Sequence, residues 1–141
     1  MSGLSRIVSL IQHPRRASEV MRNLNANMLI AQRGMIIVGI EDHDDEPGGK
    51  LYRLEYRSSL DAQKAVARVL HNPWDPRRPN AGTNEHQSHV SRSGIICVGN
   101  GAVPFVWMSP FDLDFTIKRA RFWCTAFSHW RATGDGSVFR V

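Results

Sequence analysis

The sequence predicts an α+β fold: an N-terminal helix, a small antiparallel β-meander sheet, a long loop and a long C-terminal helix. Three observations predict it. Apolar residues recur at helical spacing near the start of the chain, two β-rich segments flank a Pro-Gly-Gly turn, and an aromatic-rich helical stretch lies between Asp112 and Gly134. The 141 residues, 42% hydrophobic and 22% charged, suit one globular domain spanning residues 1–141. A disordered chain would carry fewer apolar residues and more net charge.

Leu4, Ile7, Val8 and Ile11 share one helical face, with Ser2 or Ser5 as cap. Pro14 breaks or restarts that helix, and Val20, Met21 and Leu24 continue the apolar stripe. Residues 3–25 are therefore expected to form one kinked helix or two short ones, with Arg6, Arg15, Arg16 and Arg22 solvated. Met35 to Ile40 is apolar and β-rich, and the acidic stretch Glu41 to Gly49 closes in a Pro47-Gly48-Gly49 turn. Leu51 to Tyr56 then alternates, with Tyr52, Leu54 and Tyr56 on one face and Arg53 and Glu55 on the other. Together these segments predict an antiparallel hairpin.

Residues 59–70 fit either a serine-capped helix or an alternating strand, and propensity favours the helix because of the alanines, lysine and leucines. His71 to Asn84, punctuated by Pro73, Pro76 and Pro79, reads as loop. Ile95 to Val98 is a short apolar run between glycines. In the last helix Asp112 or Asp114 suits the N-terminal end of the dipole. Phe115, Arg119, Phe122, Trp123, Ala126, Phe127 and Trp130 form its stripe, and Gly134 and Gly136 end it.

No run approaches the ~20 apolar residues that span a bilayer. Leu4 to Ile11 is short, contains Arg6 and lacks a cleavage site, so a cytoplasmic protein is expected, without a membrane partner. Cys97 and Cys124 are read as reduced thiols, Cys124 as core. Eighteen basic against thirteen acidic residues leave a net charge of +5, which suits an acidic protein partner as well as nucleic acid. The longest runs of arginines are the pairs Arg15-Arg16 and Arg77-Arg78, and nothing resembles a basic tail, so nucleic acid ranks last among the partners.

One pattern carries chemistry. Gly94-Ile95-Ile96-Cys97 follows a polar loop bearing His86 and His89, and Trp107-Met108-Ser109-Pro110 leads from it into the long helix. The reactive form of cysteine is the thiolate, and a nearby donor or positive charge favours it. The arrangement resembles the ubiquitin-conjugating enzyme family, which sets a glycine three residues before its active cysteine and a Trp-Ser-Pro segment ahead of a helix. The resemblance covers roughly residues 35–124, and the N-terminal helix fits in order. The chain departs from the family in lacking His-Pro-Asn: His89 stands where the family has asparagine. Trp-Met-Ser-Pro has one residue more than the family's motif, and the family's proline-rich segment after the sheet is missing. It is similar to a divergent, bacterial-type relative.

That resemblance implies acyl transfer without cofactor or metal. Cys97 would take a ubiquitin-like modifier from an activating enzyme as a thioester and pass it to an acceptor protein's amine. His89 would steady the oxyanion or orient the amine, with His86 beside it. Gly94 would shape the turn, and Trp107, Ser109 and Pro110 would support the loop. Arg6, Arg15 and Arg16 would dock the activating enzyme. Two other readings of the same residues stay open. Cys97 could be packing within a non-catalytic binding module. His86, His89 and Cys97 could ligate a metal, although their spacing matches no standard zinc pattern. Asp42, Asp44, Asp45 and Glu46 read as a solvated hairpin turn, since EF-hand spacing is absent. The tryptophans read as packing residues, with Trp74 a contact or lid at the core edge.

Overall fold

The computed structural model describes residues 15–45, 49–99, 106 and 109–140. The expected helix before residue 15, including Leu4 to Ile11 and Pro14, lies outside the described residues, as do Arg6, Trp107 and the Pro47-Gly48 part of the turn. Helix α1 spans Arg16–Leu24. Four strands follow: β1 Leu29–Arg33, β2 Ile36–Asp44, β3 Leu51–Ser59 and β4 Ala65–His71. They pair in the order β1-β2-β3-β4, every neighbour antiparallel. A short helix α2 (Glu85–Ser88), the long helix α3 (Leu113–Thr133) and a 3-10 turn (Gly136–Arg140) complete the chain. This is the expected α+β meander with a long C-terminal helix. Among the described residues no helix is long and apolar enough to cross a membrane.

The predicted hairpin is β2–β3, which pairs Ile36 with Ser59 through to Asp44 with Leu51. Tyr52, Leu54 and Tyr56 are fully buried on one face, as their alternation required. The acidic tract differs from expectation. Asp42 and Asp44 belong to β2, and Asp45 is buried, its carboxylate accepting from Lys50 N at 2.9 Å. The strand outruns its apolar residues because Glu41 faces inward. Strand β1 was not foreseen. It is exposed along nearly its whole length, so it carries no periodic pattern, and the Gly34–Met35 turn joins it to β2.

The helix favoured for residues 59–70 is replaced by a turn and strand β4. Ser59 is the last residue of β3 and braces the turn that follows rather than capping a helix: its Oγ donates to Asp61 Oδ1 (2.7 Å) and accepts from Lys64 N (3.1 Å). Ala62 adopts φ +64°, which no helix continues. Pairing with β3 then outweighs the helix propensity of the alanines. Ala65 and Ala67 are small where α3 crosses, and Ala65 O accepts from Ser109 Oγ at 2.7 Å.

One layer of helix covers one face of the sheet. Leu113, Ile117, Ala120, Cys124 and Phe127 of α3 pack with Tyr52, Leu54, Tyr56 and Val69. Each large side chain withdrawn from water here contributes about 1.5–3 kcal/mol. Asp112 caps α3 by accepting from Phe115 N at 2.8 Å, and Gly134 ends it at φ +77°. The stripe predicted for α3 holds in its second half, where Trp123, Ala126 and Phe127 are buried, and is rotated in its first: Phe115 is exposed, Arg119 and Phe122 are half-buried, and Thr116, Ile117 and Ala120 are buried instead. In that first half Thr116 and Ala120 are small enough to permit close approach to the sheet.

A polar clasp joins four elements. Glu41 of β2, its side chain 1% exposed, accepts from Arg121 Nε (2.9 Å) and Nη2 (2.7 Å) of α3. Tyr56 OH of β3 and Asn25 Nδ2, just beyond α1, also donate to it. Arg121 Nη2 reaches Leu24 O as well, at 3.2 Å. Burial pushes the Glu41 carboxyl up, but the bonds from Arg121, Tyr56 and Asn25 outweigh it and leave the carboxyl below its ordinary range.

Candidate functional site

Ile95 and Ile96 run beside β4, with bridges Arg68–Ile95 and Val90–Ile96 and a bond from Ile96 N to Ala67 O at 3.0 Å. Ser91–Gly94 turns tightly between Val90 and Ile95, closed by Ser91 N to Ile95 O (2.9 Å) and Gly94 N to Ser91 O (3.0 Å). Cys97 emerges from this small hairpin, and its N–H donates to His89 O at 2.9 Å. The thiol is exposed, with Gly99 O as its acceptor at 3.8 Å. Cys124 is fully buried, and burial pushes its thiol well up. Both cysteines are free.

Gly94 is the hinge of this geometry. It is buried at φ +92°, and a Cβ there would lie 2.6 Å from Val69 O. Both the backbone region and the space demand glycine. Gly94→Ala is expected to cost roughly 2–3 kcal/mol. Urea unfolding checks this: a midpoint unchanged from wild type would refute the constraint.

The two histidines are on and just past a helical turn, not in a loop. Asn84 caps α2 by accepting from His86 N at 2.8 Å. His89 is the left-handed C-cap at φ +55°. Trp123 Nε1 of α3 donates to Ser88 O at 2.8 Å and fixes the turn from below. Phe139, from the terminal 3-10 turn, stacks on the His89 ring at 4.8 Å between centroids and rests in turn on Trp130.

Cys97, His86, His89, Glu85, Ser91 and Ser93 line one open cleft of about 360 Å³. The structure thus brings the predicted thiol and both predicted imidazoles together. Ser109 is buried and anchors its segment to β4, while Pro110 is exposed; neither lines the cleft. Arg15 and Arg16 are exposed at the start of α1, away from the cleft lining. Glu85 and Phe139 were not foreseen. Glu85 had a legible signal, since Asn84 announces a capped helical turn. Phe139 had none, because its partner is fifty residues upstream. Among the described residues, no group of three or more His, Cys, Asp or Glu side chains could hold a metal.

Burial beneath Phe139, together with neighbouring His86, lowers the His89 pKa from its ordinary value. His89 is therefore a neutral imidazole at neutral pH, able to donate one N–H and accept at the other nitrogen. The folded chain binds its proton less readily than the unfolded chain. Its contribution to stability is intact above the unfolded pKa and is lost as pH falls through the folded one. Phe139→Ala rehydrates the ring and is expected to raise this pKa toward 6.5, the ordinary value. An NMR titration of the imidazole protons checks it, and an unmoved curve would show that Phe139 does not shield the ring.

The chain matches no family model, no curated protein and no solved structure.

Proposed function

We propose that the chain is a ubiquitin-conjugating-like acyl carrier with Cys97 as its nucleophile. The observation that carries the reading is an exposed thiol in an open cleft shared with the His86 and His89 imidazoles. The order of helix, antiparallel meander, thiol segment and long helix supports it, because the resemblance at Gly94-Ile95-Ile96-Cys97 implies that order.

The Cys97 thiolate attacks the carbonyl carbon of a modifier's thioester on the activating enzyme. A new C–S bond forms, the old one breaks, and the enzyme's thiolate departs. An acceptor amine then attacks the Cys97 thioester, forms an amide and loses its proton to a base, while the Cys97 thiolate leaves. Sulfur serves both steps because its thiolate attacks well and leaves well. His89 donates its N–H to the carbonyl oxygen as negative charge develops there, or accepts from the amine and orients it. Arg15 and Arg16, with Arg6 before them, form the docking face for the activating enzyme, and the reaction takes place in the cytoplasm. Ser109 steadies the segment behind the thiol by its bond to Ala65 O.

The test mixes the purified chain with candidate modifier, activating enzyme and ATP, and reads the intact mass. The expected product is an adduct on Cys97 that a thiol reductant removes. An unmodified chain that still binds the modifier would replace this reading with a non-catalytic binding module.

A further inference from the structure

A second cleft, of about 460 Å³, is lined by Arg77, Arg78 and Arg92 together with Asn80, Gly82 and Thr83. Three guanidinium-bearing residues that share one concavity repel one another unless something offsets them. Among the described residues no carboxylate lines the cleft. Arg77 meets Asp75 at 3.4 Å but remains 90% exposed, so that contact is weak. Among the described residues, Arg78 and Arg92 have no ion-pair partner.

The wall that carries Arg77 and Arg78 is rigid. Buried Asn80 donates to Thr83 O (3.2 Å) and accepts from Gly82 N (3.1 Å), and Thr83 Oγ1 donates back to Asn80 O (2.6 Å). Asn72, fully buried, donates to Pro79 O at 2.8 Å and ties the loop to the end of the sheet. The Arg92 backbone is held as well, its N–H donating to Glu85 Oε1 at 3.2 Å. The backbone is thus already in place for a ligand, and only the arginine side chains need to settle.

We propose that this cleft binds a small ligand bearing a di- or polyphosphate group. The volume lies in the range of small-molecule sites. Guanidinium forks match phosphate oxygens two at a time, and a single carboxylate would leave most of the positive charge unbalanced. Among the described residues no aromatic side chain lines the cleft to supply the base-stacking platform of a single-stranded nucleic-acid site. The site is distinct from the Cys97 cleft but adjoins it: Arg92 lines the one, and its neighbours Ser91 and Ser93 line the other. It stands whether or not Cys97 carries an acyl group.

Titration calorimetry with inorganic pyrophosphate at low salt tests it. Saturable one-site binding is expected, weakened roughly tenfold or more in Arg78→Gln/Arg92→Gln. The control is Arg33→Gln, an exposed arginine on β1, which should bind as wild type does. All three side chains are exposed, so the variants should keep the wild-type melting temperature, which is measured alongside. Heat that does not saturate, or equal weakening by Arg33→Gln, would reduce the effect to diffuse charge and overturn the site. A single-stranded oligonucleotide or a glutamate-rich peptide that displaces pyrophosphate at lower concentration than pyrophosphate itself would overturn the ligand class.

Discussion

A Cys97→Ala variant is expected to lose the reductant-labile adduct completely. The chain offers a clean test because it has two cysteines, and the other is no substitute. Cys124 is fully buried on α3, and its burial pushes the thiol well up, away from the reactive thiolate. Mild alkylation of the folded protein should therefore modify one cysteine, Cys97, and block the adduct as thoroughly as the substitution does. Cys97→Ser should give either no adduct or an ester that thiol reductants leave intact, since an alkoxide is the poorer leaving group. Mass spectrometry with and without reductant distinguishes these products. An adduct that survives in Cys97→Ala would sink the acyl-carrier reading, as would a folded chain whose Cys97 resists alkylation.

Arg121→Leu is expected to be the most damaging change to the fold, at about 3–5 kcal/mol, because it strands the Glu41 carboxylate inside the protein. Glu41→Ala should cost a similar amount by leaving Arg121 and Tyr56 OH without their acceptor. The double variant Glu41→Gln/Arg121→Leu should lose less than the sum of the single losses, since no buried charge then remains. Acid sensitivity follows in sign. The folded chain holds Glu41 below its ordinary pKa, so the clasp stabilises fully above the unfolded value. That contribution fades as pH falls through the folded one. Urea midpoints across the acid range should converge for wild type and Glu41→Gln as pH drops. Parallel curves would mean that the carboxylate is not the titrating partner.

The legible and illegible parts of this molecule divide by the range of the interactions that decide them. Tyr52, Leu54 and Tyr56 announced β3 because a half-buried strand writes its pattern into neighbouring residues. Asp112 and Gly134 marked the ends of α3 for the same local reason. Strand β4 was obscured because Ala65 and Ala67 are small for the benefit of a helix some fifty residues later, and smallness alone reads as helix propensity. The face of α3 was legible at Trp123, Ala126 and Phe127 but misjudged in its first half, since Phe115 and Phe122 sit beside the contact and Ala120 within it. Glu41 could not be told from its acidic neighbours: what sets it apart is Arg121, which lies 80 residues on. At the candidate site, Cys97 and His89 were singled out through the family resemblance, and both line one cleft. The shielding of His89 could not be read in this way, because it comes from Phe139 through the tertiary fold.

The clasp also bears on how long the molecule lasts once folded. The four strands meet their sequence neighbours, so the meander assembles from short loops at small entropic cost. The Glu41–Arg121 contact closes 80 residues, and the Arg121–Leu24 contact 97, and neither can form before α3 has docked. Bonds made after the barrier has been crossed scarcely change the rate of assembly, but they must break before the barrier can be recrossed. The clasp is therefore expected to act as a latch on escape, so that Glu41→Gln speeds unfolding more than it slows refolding in stopped-flow measurements.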